Sequence, residues 1–336
     1  MCDKLFTVII PEHNRPERLR RLLDYYLSFD CEIIVTDSSD IRFKYIDEYL
    51  NDIYYVYYPK MHLAEKLFRI LDHITTSYVV MCADDDYIVP SAILQAIHYM
   101  QEDDDYRSVQ GLYVRYYPLE NISLDLFCPY MLGNSINENT GEERVLHLMS
   151  NYYQFYYAVF EKKLFIEAYS SVIVGSTCKI RNLCLLELYI SLYSVIRSKH
   201  AVLPVLYGMR EYIRDSAGTY TLGLKEIMDT NQCTDELNYM LNNLADIIEG
   251  NKEEKKKVLE NAFDLYLHSF VCNSQKGIIE RILLKLDLIL FNRFCYKLYA
   301  KKVLYKMVND KNDAKNSITQ VKNSIKKYFS EVYGLK

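Results

Sequence analysis

Three consecutive carboxylates, Asp84, Asp85 and Asp86, end the apolar run Tyr78-Val79-Val80-Met81-Cys82. Like charges this close repel unless a cation or a captured proton relieves them. Hard divalent cations such as Mg²⁺ select oxygen ligands of this kind and bind through one or two carboxylates plus substrate phosphates. The triplet therefore points to a site for a metal-bound phosphorylated ligand. A solvated turn ahead of the helix opened by Pro90 is the alternative reading of the same residues.

The β-branched run before the triplet reads as a buried strand within an alternation of strand and helix patterns over the first 115 residues. Strands are expected at 6–10, 32–36, 53–58, 78–82 and 109–116. One helix opens at Pro16 with Leu19, Leu22, Leu23, Tyr26 and Leu27 on one face, and a weaker one lies near 43–50. Another carries Leu63, Leu67, Ile70, Leu71 and Ile74, and a fourth runs from Pro90 to about Met100. This is the pattern of an α/β domain with a mostly parallel sheet. Residues 118–145 read as a loop-like insertion, 156–160 and 201–206 as short strands, 183–196 as a helix, and everything after about Thr219 as helical.

Ligands of an open parallel sheet bind outside the carboxyl ends of its strands. His13 and Asn14 follow the first strand, Asp37, Ser38, Ser39 and Asp40 the second, Lys60 and His62 the third, and the aspartates the fourth. Four polar groups distant in sequence thus converge on one edge.

The ordered segments Val8-Ile9-Ile10-Pro11-Glu12-His13-Asn14-Arg15-Pro16, Val35-Thr36-Asp37-Ser38-Ser39-Asp40 and Ala83-Asp84-Asp85-Asp86 resemble the GT-A nucleotide-sugar glycosyltransferases of family 2. That family shows V-I-I-P-x-[YH]-N, D-x-S-x-D and D-x-D motifs at comparable spacing. The resemblance covers about the first 115 residues well, 145–215 loosely and the last third not at all. It implies a GT-A, Rossmann-like α/β fold, a mostly parallel sheet flanked by helices, with a helical C-terminal region. The expected organisation is a catalytic domain over 1–218, its donor half at 1–117 and acceptor half at 118–218, followed by helices over 219–336.

The resemblance also implies roles. Pro11, Glu12, His13 and Asn14 would line the donor, with His13 against the base and Asp37 accepting the ring N–H of a uracil-like base. Asp84 and Asp86 would hold ribose and a metal, Mn²⁺ or Mg²⁺, which would bridge to the diphosphate and stabilise leaving-group charge. Asp85 would share the metal or shape the turn, and Lys66 would help hold the phosphates. In family 2 the base belongs to an E-D pair at a helix start, ahead of a short strand and an arginine-containing segment. The matching stretch here is Leu185-Leu186-Glu187-Leu188, then Leu203 to Arg210. Glu187 is thereby the expected general base of an inverting transfer, with Asp86 as the second catalytic carboxylate. Leu188 departs from the pattern, and a pairing of Glu187 within the fold, with Arg181, is the alternative. Arg210 and Arg214 would meet the diphosphate or an anionic acceptor, as guanidinium forks do, or stand as surface charges. Tyr156 and Tyr157, with Tyr152, Tyr153 and Phe155, would stack on sugar faces or fill the core.

Half of the 336 residues are apolar and the net charge is −5, which argues against a nucleic-acid partner. From Arg281 onward 13 Lys+Arg face 4 Asp+Glu, so the tail is +9 and the remainder −14. Residues 282–307 combine apolar positions with Lys285, Arg293, Lys297, Lys301, Lys302 and Lys306. Such a basic amphipathic helix lies on an anionic membrane surface or packs on the domain with its charges in water. Nine scattered cysteines without a C-x-x-C pair argue against a structural zinc motif and fit a reducing compartment. No run approaches the ~20 apolar residues of a membrane span, and the start leads straight into a strand. A cytoplasmic location follows, with peripheral contact at the inner face of the membrane as an option.

The expectation is a metal-dependent glycosyltransferase that moves a sugar from a nucleotide donor, UDP-linked, to a glycan, lipid-linked or protein acceptor. A catalytically degenerate GT-A domain that binds a glycan or protein is the alternative. A nucleotidyltransferase would carry a Gly-rich loop after its first strand, and Pro11-Glu12-His13-Asn14 has no glycine. A phospho-acceptor receiver domain would carry acids there, where this chain has Glu12-His13.

Overall fold

Strands apolar on both faces belong inside a layered α/β fold, where alternate side chains enter opposite cores. In the computed structural model, β1 (Phe6–Glu12) sends Val8 and Ile10 into one core and Ile9 into the other. Residues 4–116, 127–130, 133–211, 221–251, 254–268 and 302–334 are described, with backbone alone at 127–130.

β1 pairs in parallel with β2 (Glu32–Asp37) and β4 (Tyr78–Met81), and β3 (Tyr54–Tyr57) extends the sheet beyond β2. Past β4 come β8 (Val159–Glu161), β6 (Tyr106–Tyr116), β11 (Lys199–Glu211) and β5 (Tyr87–Ile88), with β7 (Phe127–Tyr130) also on β6. β6 and β11 are parallel, while β5, β7 and β8 run antiparallel to their neighbours. The short strands β9 (Ile173–Val174) and β10 (Thr177–Cys178) form a separate ribbon. The result is a mixed α/β sheet flanked by helices, parallel through its amino-terminal half.

One face of the sheet is covered by α1 (Pro16–Tyr26), α3 (Pro90–Glu102) and α11 (Lys311–Lys327). The other carries α2 (Leu63–Phe68), α4 (Gly141–Ser150), α5 (Lys162–Ser171), α6 (Leu183–Arg197), α7 (Leu224–Thr230) and α8 (Thr234–Ile247). Helix α9 (254–268) joins that second core, α10 (302–307) joins the first, and α12 (Phe329–Tyr333) follows α11. Pro16 and Pro90 stand at the starts of their helices, where a missing N–H costs nothing. Leu19, Leu22, Leu23 and Tyr26 of α1 are fully buried, and each leucine contributes about 1.5–3 kcal/mol of hydrophobic stabilisation.

Several expected elements change. Only a 3₁₀ turn, Ile46–Glu48, forms within 43–50, and the Phe43 N–H ahead of it donates to the Asp37 carboxylate. The helix expected to reach Ile74 stops at Phe68 and resumes as a 3₁₀ turn, Leu71–His73. The 118–145 stretch is not all loop: it includes β7, and α4 starts at Gly141 behind a reciprocal Thr140/Glu143 capping box. Helix α5 buries Leu164, Phe165, Ala168 and Tyr169 along one face. Arg214 and 282–301 of the basic segment lie outside the described residues. Among the described residues no helix is long and apolar enough to cross a membrane.

Gly111 of β6 lies where β11 shifts register, and a Cβ there would stand 2.7 Å from the Val205 carbonyl oxygen and 2.8 Å from Tyr207 Cβ. Gly111→Ala is expected to lower stability by about 1–3 kcal/mol through overpacking, read as a lower urea midpoint at unchanged slope.

Candidate active site

The parallel register sets Glu12 beside Asp37 and Asp37 beside Tyr57, so three strands end together. The β1 end is fastened by the Glu12 Oε1 atom, which accepts the Arg15 N–H at 2.5 Å. Asn14 takes a left-handed φ of 58°, tolerable for asparagine, and its side chain bonds Asp40 on the facing loop. His13 is exposed at the lip of this edge, with Nδ1 3.1 Å from the Ser38 carbonyl oxygen. Pro11, half-buried, lies beside Thr36 within the sheet.

The acidic triplet follows β4 and is met by two arginines. Arg15 Nη1 lies 3.0 Å from Asp84 Oδ1 and 2.5 Å from Asp85 Oδ2. Arg210 Nε lies 3.1 Å from Asp86 Oδ2, and the Glu211 N–H donates to Asp86 Oδ1 at 3.1 Å. Strand pairing brings these partners in: β5, directly after the triplet, pairs with Gly208 and Met209 of β11, so Arg210 and Glu211 emerge beside Asp86. Burial pushes the Asp86 carboxyl up to about 7 against the pull of Arg210. Burial and Asp84 likewise raise Asp85, with Arg15 opposing.

Glu12 is also raised, by burial and then by the Asp84 charge, and its buried Oε2 atom has no hydrogen-bond partner. An unpartnered carboxyl oxygen beside a second carboxylate is relieved by a shared proton or by a cation. Among the described residues no three metal-ligating side chains converge. Mg²⁺-type sites need only one or two carboxylates beside substrate phosphates, so these hard oxygen donors fit such an ion.

Arg210 extends the site into the second half of the chain. Its Nη1 donates to Gln154 Oε1 at 2.7 Å, and the Gln154 amide N–H donates to Glu187 Oε2. The other Glu187 oxygen accepts from the Tyr152 hydroxyl at 2.9 Å. Glu187 sits in the second turn of α6, half-buried, and burial raises its pKa while Tyr152, Arg210 and Gln154 counter. Tyr157 lies under Arg210, its ring centroid 5.7 Å from the guanidinium carbon. Asp86, Arg210, Gln154 and Glu187 therefore form one continuous polar chain. Sequence reading missed Gln154, Arg15 and Glu211; a lone Gln in an aromatic segment gives no signal, whereas an Arg after the first motif and an acid at a strand end could have been flagged.

Other expected residues fall elsewhere. Lys66 does not face a phosphate site: its ammonium is buried and donates to the carbonyl oxygens of Glu12 and Thr36 and to Ser38 Oγ, at 2.7, 2.9 and 3.0 Å. Those three bonds use every proton it has. Tyr156 belongs to the hydrophobic core beside Tyr157 and Tyr169, so it offers no sugar platform. Arg181 pairs with Glu65 at 2.9 Å rather than with Glu187. Asp37 is fully buried, accepting from Ser39 N, Phe43 N and the Tyr55 hydroxyl. It is the hub of the loop after β2. A cavity of about 770 Å³ lined by Tyr78, Tyr106, Arg107 and Glu161 opens at the opposite end of the sheet, away from the triplet.

Residues 7–167 match the family described as Glycosyl transferase family 2. The chain is a glycosyltransferase that resembles family 2 over that segment. Its fold resembles that of S. aureus TarS 1–349, with a TM-score of 0.53 at 12% identity over 97% of this chain and 92% of that one. TarS 1–349 in complex with UDP-GlcNAc gives 0.55 at 12% over 98% and 93%, and its complex with UDP gives 0.51 at 13% over 97% and 92%. No curated protein matches the sequence. The matched family segment ends before Glu187, Arg210 and Glu211.

Burial pushes Lys66 down to about 8, although Asp84, Glu12 and Asp37 favour its charged form. Unfolded, the group titrates near ~10.4. Between about pH 8 and 10.5 the unfolded chain then holds a proton that the folded chain lacks, so this group makes stability rise with pH. Urea midpoints at pH 7.5 and 10 are expected to show that rise in the wild type relative to Lys66→Met, in which it is absent.

Proposed function

We propose that the enzyme transfers a sugar from a UDP-linked donor to a hydroxyl of a glycan, lipid-linked or protein acceptor with inversion at the anomeric carbon. Support comes from the continuous chain Asp86–Arg210–Gln154–Glu187, which ties a raised-pKa carboxylate on α6 to the acidic edge of the sheet. The UDP-GlcNAc and UDP complexes of the similarly folded TarS support the choice of nucleotide.

In this reading Pro11, Glu12, His13 and Asn14 line the donor, with His13 at the exposed lip against the base. Asp37 receives a base N–H by exchanging the Tyr55 hydroxyl that it now accepts. Asp84 and Asp86 would hold a divalent cation, Mn²⁺ or Mg²⁺, which when bound would supply charge stabilisation to the departing diphosphate. Asp85, anchored by Arg15, shapes the turn. Arg210, above Tyr157, is within the same charge cluster and stabilises negative charge that develops on the donor oxygens.

The acceptor hydroxyl oxygen attacks the anomeric carbon as its proton passes to Glu187. The bond from that carbon to the diphosphate oxygen breaks, and its electron pair leaves with UDP. A base with a raised pKa retains the proton once taken, which suits Glu187 to the task. Gln154 and Tyr152 each donate to one of its oxygens and so fix the carboxylate plane.

Glu187→Gln is expected to lower kcat by about 10²–10⁴ with the donor KM little changed. UDP release from a UDP-sugar measures it, and a normal kcat removes the base assignment. Asp86→Ala, and separately EDTA, are expected to abolish UDP release. Full turnover after chelation removes the cation. NMR of the product's anomeric configuration reports inversion directly.

A further inference from the structure

We propose that Tyr333, on the helical C-terminal region, is a positioning residue for the acidic triplet and hence for donor binding; the donor part rests on the function proposed above. Tyr333 lies outside the matched family segment, which ends at residue 167.

The argument starts at Glu211, whose side chain is 2% exposed. A buried carboxylate needs charge partners and further hydrogen bonds to offset desolvation. Glu211 accepts from Arg18 Nη2 at 2.8 Å, Arg21 Nη1 at 3.0 Å and the Tyr333 hydroxyl at 2.8 Å. Burial pushes this carboxyl up, but Arg21 and Arg18, then Tyr333, hold it below its usual range. Tyr116 also lies within reach, 3.3 Å from Glu211 Oε2 and 3.1 Å from the Asp85 carbonyl oxygen. A hydroxyl has one proton to give, so Tyr116 serves either acceptor but not both. Tyr333 is therefore what lets Tyr116 be spent on Asp85.

Tyr333 also accepts from Arg21 Nη1 at 3.1 Å, so one hydroxyl bridges both members of the buried pair. Arg21 is fully buried, and its Nη2 donates to the Asp85 carbonyl oxygen at 3.2 Å. Glu211 in turn holds Asp86 through its backbone N–H. The triplet is thus held from behind at the Asp85 carbonyl oxygen by Arg21 and Tyr116 and at the Asp86 carboxylate by Glu211, and Tyr333 bonds both Arg21 and Glu211.

The helices that deliver Tyr333 are docked on α1. Ser324 Oγ lies 3.1 Å from the Tyr87 hydroxyl, Lys327 Nζ and the Tyr328 hydroxyl meet Asp24, and Arg20 pairs with Glu331 at 3.5 Å. Tyr328 shares this docking but does not touch Glu211, which makes it the matched control.

The test compares full-length wild type, Tyr333→Phe and Tyr328→Phe in UDP-sugar turnover and in hydrogen exchange of the segments 83–88 and 209–211. In Tyr333→Phe the donor KM is expected to rise about tenfold at nearly unchanged kcat, with faster exchange in both segments and unchanged exchange in α3. Tyr328→Phe is expected to match wild type in all of these. A general loss of folded enzyme would instead lower kcat at constant KM, and that pattern overturns the proposal. Wild-type kinetics with wild-type exchange in Tyr333→Phe overturns it as well. If wild type turns over no UDP-sugar, the functional reading fails separately. The exchange comparison then still decides the brace: faster exchange at 83–88 upholds it and unchanged exchange removes it.

Discussion

Three adjacent carboxylates at a strand end exist only because positive charge is delivered to them. Arg15 arrives from the turn before α1 and Arg210 from the end of β11, 195 positions later in the chain. Without these partners, burial would drive protons onto the acids or push the turn into water. The parallel β1–β4 pairing places Arg15, and the antiparallel β5–β11 pairing places Arg210. The sheet is what allows the charges to meet, and their meeting in turn fixes where β5 and β11 end.

A second ion pair lies behind the first. Arg21 and Glu211 are both buried, and their attraction alone does not repay desolvation in an interior. Removing one partner of such a pair costs about 3–5 kcal/mol, because the survivor is left as a buried charge. The donated bonds from Arg18 and Tyr333 complete the shell. The acidic edge thus depends on a polar interior built from the first helix, two strands and the last helix.

The first half of the chain was legible because its information is local. Continuous apolar runs in β1, β2 and β4, prolines at two helix starts and polar clusters at strand ends all lie within short windows. The triplet could be found, but not its neutralisation by Arg15 and Arg210, since pairing across such separations leaves no local mark. Lys66 misled for a related reason. A lysine one turn into a helix looks like a phosphate ligand, yet its stem threads through the core to cap two strand-end carbonyls. Asp37 was singled out as a partner of the donor base, and its three internal donors give it a structural part in the loop after β2 as well. The 43–50 segment forms only the 3₁₀ turn Ile46–Glu48.

Gln154 is the joint between the two halves of the site. An amide has one acceptor oxygen and one donor nitrogen, and here each end is committed: the oxygen to Arg210, the nitrogen to Glu187. Flipping the amide would set its NH₂ against a guanidinium and its oxygen against a carboxylate, so its orientation is determined by charge. The consequence is coupling. Any change in the hold of Arg210 on Asp86 alters the donor to Gln154 Oε1, and through Gln154 the N–H that steadies Glu187. A carboxylate that bonded only to its own helix would not sense the acidic edge at all. The second acid that the family pattern places beside the base, replaced by Leu188, is therefore not needed to tie Glu187 to the triplet, since the Gln154–Arg210 bridge does so from the other side of the cleft.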